Sequence, residues 1–334
     1  MDFVTLAHGS GGRMTHKLIN DIFRRYFSND ILEQGDDSAL ITLNNSRIAF
    51  TTDSFVISPI FFKGGDIGKI AVCGTVNDLT AAGAKPLYLS CGFIIEEGLP
   101  FETLETIARS MGETAAKCGV RIATGDTKVV QKGAADKIFI NTSGIGIIYE
   151  GINISGRNAK PGDSIIVTGN IGDHGCSIML EREALNINAD ISSDCAPLNG
   201  LVERIFSITT DVHVLRDPTR GGLATTLNEI ASQSNVGISL NEDAIPVSRE
   251  VNGVCELLGM DPLYMANEGK MIIIVPSQYS EDVVKALRED TLGKNAAIIG
   301  EVTNKQLGRV VMKTYAGGSR ILDMLTGDQL PRIC

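Results

Sequence analysis

Along the first half of the chain the apolar positions switch repeatedly between a helical period and a period of two. Met14, Leu18, Ile19, Ile22 and Phe23 recur at helical spacing after a glycine-rich break, His8-Gly9-Ser10-Gly11-Gly12. Leu40-Ile41 and Arg47–Thr51 read as strands, the second ending at Thr52-Asp53. Asp66 is placed to cap a helix with Ile67, Ile70, Ala71, Gly74 and Ala81 on one side, which stops at Gly83 with Pro86 just beyond. Leu87–Ile95 reads as a strand. Pro100 then opens a helix whose face carries Leu104, Ile107, Met111, Ala115 and Cys118, and Gly119 closes it. A short strand, Val120–Ala123, and the alternating stretch Ile138–Tyr149 follow. Strands outnumber helices and hairpin-like links mix with helical ones. The pattern predicts an α+β unit with helices on one face of a mainly antiparallel sheet.

Glu150–Gly162 turns polar and glycine-rich, which marks a boundary. Beyond it Ser164–Thr168, Val236–Leu240, Met271–Val275, Ala297–Gly300 and Val310–Lys313 are strand-like. Helical spacing appears after Gly175, over Ala196–Ile208, after Gly222 and over Glu281–Arg288, giving a second α+β unit. The expected division is an N-terminal arm and helix over 1–34, a first domain over 35–150, a second over 151–315 and a flexible tail over 316–334. The tail ends in Pro331-Arg332-Ile333-Cys334, a thiol on an arm that spans at most ~50–55 Å when extended.

Net charge is −10, which argues against nucleic acid or an anionic membrane as the main partner. No apolar run reaches the roughly 20 residues of a spanning helix, and the start lacks a basic-then-apolar leader. A cytoplasmic protein is expected. The seven cysteines are scattered without a CxxC pair, so neither a disulfide framework nor a thiolate zinc site is implied.

Candidate chemistry lies in the carboxylates. Asp37, Asp53 and Asp126 fall at the edges of predicted strands, and Asp78 falls near a helix C-terminus, where the macrodipole opposes it. Drawn together, these four would bind a hard cation such as Mg²⁺ through oxygen, with Thr51 and Thr52 adding hydroxyls beside Asp53. Taken singly, each reads more readily as a turn former. Lys128 could place an ammonium on a phosphate, or be a solvated surface lysine. Backbone N–H groups at Gly11-Gly12 and at Arg220-Gly221-Gly222 could receive an anion at a helix start; the alternatives are plain turns. Gly64-Gly65-Asp66-Ile67-Gly68-Lys69 lacks the first Gly and the Ser or Thr of a P-loop, and Gly144-Ile145-Gly146 fails the dinucleotide fingerprint. A nucleotide here would be held through metal and carboxylates.

The chain resembles the PurM-like ATP-binding superfamily, and within it the carbamoyl dehydratases of hydrogenase maturation, over essentially its full length. The resemblance rests on HGSGGRMTHKLI at 8–19, GDDSA at 35–39, TTDSF at 51–55 and GGDIGKIAVCGTVNDL at 64–79. It continues through TGDTKVV at 124–130, GDHG at 172–175, RDPTRGGLATTLNEIA at 216–231, NEGK at 267–270 and the closing PRIC. Lys63 stands where such a protein has Pro. The resemblance implies a homodimer whose N-terminal sheets pair into a barrel, with ATP near the interface. It adds Asp36, Gly125 and Thr127 to the nucleotide contacts, and Glu268 as the base beside Asp78, Lys128 and Cys334. It also implies a reaction. A HypF-type carbamoyltransferase loads Cys334, ATP drives dehydration of the thiocarbamate to a thiocyanate, and a HypC–HypD complex receives the cyano group for the [NiFe] centre. The rival expectations are another PurM-like synthetase or kinase acting on a free small molecule, which leaves PRIC unexplained, and a non-catalytic thiol-presenting scaffold, which needs no aspartate set.

Overall fold

The computed structural model describes residues 12–18, 20–21, 32–34, 36–43, 46–182, 189–325 and 332–334. The first unit is built on strands β1 (Ala39–Leu43), β2 (Ser46–Phe55), β5 (Ala84–Glu96), β6 (Arg121–Val130) and β7 (Ile138–Ile148), with a small ribbon of β3 (Phe61–Phe62) and β4 (Gly65–Asp66). Its five-stranded sheet runs β1-β2-β7-β5-β6, antiparallel except for the parallel β5–β6 pair at the edge. The expected antiparallel sheet with helices on one face is what forms.

The Ile67–Ala81 helix lies at the centre of the molecule. Asp66 caps it, accepting from the N–H groups of Gly68 at 2.8 Å and Lys69 at 3.2 Å. Thirteen of its fifteen residues are buried, as expected of a helix that is apolar nearly all round. One side packs on the first sheet. The other meets the second unit, where Asn77 donates to the Ala196 carbonyl at 3.1 Å and accepts from the Leu198 N–H at 2.8 Å. The Phe101–Cys118 helix packs beside it and ends on Gly119 at φ 72°, the left-handed cap that glycine adopts without strain.

The second sheet takes β8 (Asp163–Val167), β9 (Val214–Arg216), β10 (Gly237–Asn241), β11 (Ile272–Pro276), β12 (Ala297–Thr303), β13 (Val310–Lys313) and β14 (Ser319–Leu322). Their order is β14-β13-β10-β12-β8-β11-β9, with β10–β13 the parallel exception. Helices Asp173–Arg182, Asn199–Ile208, Gly222–Gln233, Arg249–Leu258 and Ser277–Arg288 accompany it.

Two expectations need correcting. Ordered structure continues past residue 315: Ser319–Leu322 pairs with β13, which otherwise has an open edge, and Leu322 and Leu325 are buried. Arg332, Ile333 and Cys334 are also seated against the body, with Ile333 part of the first core. In addition, Asp53 and Asp126 lie within strands rather than at their edges, because β2 continues to Phe55 opposite Ile140 and β6 continues to Val130 opposite Glu96.

Candidate active site

The pleat of β2 decides which of its polar residues meet. Ala49, Thr51, Asp53 and Phe55 point toward the Ile67–Ala81 helix, while Phe50, Thr52 and Ser54 point away. Thr51 Oγ1 donates to Asp78 Oδ2 at 2.8 Å and lies 3.1 Å from the Asp37 carbonyl. Gly74 of the helix leaves room for the Phe55 ring, 2.9 Å from where a Cβ would sit, and Asp53 Oδ2 lies 3.7 Å from the same point. Asp37, Asp53 and Asp78 therefore share one buried corner, joined by Asp217 from the turn after β9.

Desolvation raises all four carboxyls above the ordinary value; repulsion from neighbouring carboxylates adds to it at Asp37, Asp78 and Asp217, while at Asp53 Arg220 and a hydrogen bond with Asp78 oppose it. Asp37 and Asp78 are pushed well up, Asp53 up, and Asp217 to about 6. The balancing charge is Arg216, an ion pair at 2.8 Å to Asp37 Oδ1 and another at 2.8 Å to Glu229 Oε2. Glu229 in turn meets His16 Nε2 at 3.0 Å, tying the Arg13–Leu18 helix to the site.

Glu268 enters from the loop before β11. The loop is fixed at every residue. Asn267 donates to the Pro218 and Met265 carbonyls and accepts from the Gly172 N–H. The Glu268 and Gly269 N–H groups donate to Asp194, whose carboxylate also pairs with Lys270 at 3.1 Å. Glu268 itself is 3% exposed and its Oε1 has no hydrogen-bond partner. Burial first, then the neighbouring Cys195, Asp217, Asp194 and Asp53, hold its carboxyl well above the usual range.

Cys334 is delivered to this corner. Its main-chain carboxylate oxygen accepts from the Val56 N–H at 3.0 Å, one step beyond the end of β2. Burial pushes its thiol up to about 12; Arg220 opposes this, and Glu268, Asp53 and Asp217 add to it, so all four lie within its electrostatic reach.

The other expected residues divide by location. Gly11 lies outside the described residues. Gly12 is buried where a Cβ would collide with the Leu325 carbonyl, so its glycine serves a close backbone approach. Asp36 accepts from Ser155 Oγ and the Gly156 N–H, both at 2.8 Å, and so holds the link between the two units. Thr52 faces outward and donates to the Thr142 carbonyl. Gly125 is required by the Cys91 carbonyl, 2.5 Å from where its Cβ would sit. Asp126 and Lys128 pair with each other at 2.5 Å, and the Thr127 N–H donates to Asp126. Both side chains are more than two-thirds exposed, on the face of the sheet away from Asp53 and Asp78: Asp126 is in register with Gly92, Asn141 and Ser54. They line a cavity of about 380 Å³ with Val56 and Phe139. Arg220 precedes Gly221 and Gly222, at φ 80° and 61°, and Gly222 sits 2.5 Å (as a Cβ) from the Met265 carbonyl. Sequence reasoning misses Arg216, Asp217 and Glu229, although all three lie in the RDPTRGGLATTLNEIA stretch.

The donor set suits a hard cation. It is all oxygen, and Asp37 Oδ2 is buried without a hydrogen-bond partner. Among the described residues no group of three or more His, Cys, Asp or Glu side chains is arranged to hold a metal ion by itself. Among those residues no helix is long and apolar enough to cross a membrane.

Residues 35–148 match the model of the AIR synthase related protein N-terminal domain, and residues 160–313 that of its C-terminal domain. The carbamoyl dehydratase HypE of Azotobacter vinelandii is 50% identical over 331 residues, covering 99% of this chain and 97% of that protein. A crystal structure of the hydrogenase maturation protein HypE in complex with ATP is 52% identical with a TM-score of 0.84, covering 99% of this chain and 100% of that one. A HypE–HypF complex contains a chain 49% identical with a TM-score of 0.88, covering 92% of this chain and 99% of that one. The chain belongs to the HypE family of carbamoyl dehydratases, in the AIR-synthase-related, PurM-like fold.

Proposed function

We propose that this protein uses ATP to dehydrate a carbamoyl group carried on Cys334, converting Cys334–S–C(=O)–NH₂ to Cys334–S–C≡N, with ADP and phosphate as the other products. The observation that carries this reading is the docking of Cys334 within electrostatic reach of Glu268 and the buried aspartates. An amide oxygen is a poor leaving group, so it must first attack the γ-phosphorus and become a phosphate ester. A base then takes the N–H protons and the oxygen departs in phosphate. Glu268 suits the role of that base, because it is buried, its Oε1 is unengaged, and its raised pKa brings it toward the operating pH.

The same corner explains why loading takes place elsewhere. A thiol held at about 12 is protonated and a poor nucleophile, so Cys334 accepts its carbamoyl group when undocked, from a HypF-type carbamoyltransferase. Once carbamoylated, the sulfur carries no charge and suits the half-buried seat. After dehydration the tail presents its cyano group to a HypC–HypD complex.

Asp37, Asp53 and Asp78 would hold Mg²⁺ with the nucleotide, which when bound would screen the phosphate charge. Arg220 supplies a cation near Asp53 and Cys334. Asp126 and Lys128 require another arrangement, because they face the outer side of the sheet. That side exposes an apolar row in direct register, Phe50, Ile145 and Tyr88, with Ile147 beside it and Ile94 farther along β5 opposite Lys128, each 41–47% exposed. We infer a homodimer through this face, which would bring Asp126 and Lys128 into a shared interface. The test is to incubate the protein with carbamoyltransferase, carbamoyl phosphate and MgATP and weigh the C-terminal peptide. Gain of carbamoyl followed by ATP-dependent loss of one water is expected; an unmodified Cys334 would overturn the reading.

A further inference from the structure

The last three residues are held by contacts that read both backbone and side chain. The Val56 N–H donates to the main-chain carboxylate of Cys334 at 3.0 Å, and the Ser58 N–H to the Arg332 carbonyl at 3.3 Å. Arg182 donates to the Arg332 and Ser58 carbonyls and clamps the two segments together. His174, fully buried, contacts the Ile333 carbonyl through Nε2 at 2.8 Å. A carbonyl can only accept, so Nε2 bears the hydrogen and Nδ1 accepts from Ser193 Oγ, also at 2.8 Å. The Ile333 side chain is 2% exposed within the first core. Arg332 is read most fully: Nη1 to Asp136 Oδ2 at 2.6 Å, Nε to the Val56 carbonyl at 2.7 Å, and the guanidinium 5.8 Å from the centre of the Phe139 ring. Its φ of 56° is one that a free peptide seldom adopts, so the surrounding contacts impose the bound shape.

We propose that Val56, Ser58, Asp136, Phe139, His174 and Arg182 form a slot specific for the peptide Arg-Ile-Cys, and that it admits such a peptide from solution as well as from the chain itself. The proposal rests on the function inferred above and deepens it by naming a substrate class: short S-carbamoylated peptides ending in Arg-Ile-Cys, dehydrated in trans. The step balances as it does in cis. The carbamoyl oxygen leaves in inorganic phosphate, the two N–H protons pass to the base and then to phosphate or solvent, and the sulfur–carbon bond is kept. Arg332 is the specificity determinant, and His174 is a positioning residue that acts through the Ile333 carbonyl.

The test uses the full-length chain with its own tail disabled, R332A/I333A/C334A, supplied with MgATP and S-carbamoylated Pro-Arg-Ile-Cys. Saturable conversion of the peptide to thiocyanate is expected. A Pro-Ala-Ile-Cys peptide should show a KM about tenfold higher, from loss of the charge-assisted contacts. His174→Gln should raise KM for the peptide while leaving ATP affinity unchanged. If the triple variant loses its melting transition, the wild-type chain decides. Excess Pro-Arg-Ile-Ser peptide must then slow its single-turnover dehydration, and Pro-Ala-Ile-Ser must not. No turnover or inhibition by the peptide, while the wild-type chain still dehydrates its own loaded tail, overturns the slot and spares the functional reading. Failure of the wild-type chain on its own loaded tail overturns the functional reading itself.

Discussion

Replacing Arg216 by Met keeps most of the side-chain volume but removes the charge that faces Asp37 and Glu229. All three side chains are 12–16% exposed, so solvent does little to screen the loss. The worst case, Asp37 left ionised without a partner and Glu229 left with His16 alone, costs about 3–5 kcal/mol. Asp37 has an escape, because it can take a proton. From its ordinary value of 3.8 that costs about 4 kcal/mol near pH 7 but only about 1.6 kcal/mol near pH 5. The carboxyl is already raised in the wild type, so part of this cost is present before the substitution. Arg216→Met should therefore destabilise the protein by about 2–4 kcal/mol near pH 7 and by less than ~2 kcal/mol near pH 5. The sign follows from the direction of the shift. A carboxyl whose folded pKa is raised contributes stability that is fully present below its unfolded pKa and lost as pH rises through the folded one. Removing Arg216 moves the folded pKa higher still, so the gap between variant and wild type opens with rising pH. Urea denaturation of both proteins at the two pH values measures it. A gap that stays constant, or narrows as pH rises, would refute the assignment of Arg216 as counter-ion to a buried acidic corner.

Other substitutions probe the remaining parts. Glu268→Gln should leave ATP affinity intact and slow the dehydration step by about 10²–10⁴-fold in single-turnover assays. In the wild type that rate should keep climbing with pH after an ordinary carboxylate has finished titrating, because the Glu268 pKa is raised; a profile flat above that range would remove Glu268 as the base. Cys334→Ser should abolish carbamoylation, as seen by mass spectrometry, while calorimetry shows ATP binding unchanged. Gly222→Ala would place a Cβ 2.5 Å from the Met265 carbonyl at φ 61°, so it should cost about 1–3 kcal/mol in denaturant titrations.

What is legible in the sequence is mostly local. The Asp66 cap, the apolar Ile67–Ala81 helix and the Pro100 and Gly119 punctuation all follow from capping chemistry and periodicity, and they form as expected. The alternation in β2 is also present, and it already separates Thr51 and Asp53 from Thr52; reading the segment as a strand that ends at Thr52-Asp53 hides this. Asp126 shows what local pattern cannot supply. The strand carrying it continues only because β5 lies alongside, and its face is set by that register, which no stretch of β6 encodes alone. Arg216 and Asp217 stand in plain view in RDPTRGG. Their burial beside Asp36, Asp37 and Asp53 depends on how the two units meet. The tail is the hardest to read: a polar, Gly-Asp-broken stretch gives no sign that Ile333 is a core residue or that His174 holds its carbonyl.

The central claim is that ATP removes the carbamoyl oxygen by direct phosphorylation at Cys334. Loading the protein with carbamoyl phosphate carrying heavy oxygen in the carbamoyl group, adding MgATP and analysing the released inorganic phosphate by mass spectrometry tests it most directly. One heavy oxygen in phosphate is expected for each thiocyanate formed. Thiocyanate formed with the label in water instead of phosphate would contradict it.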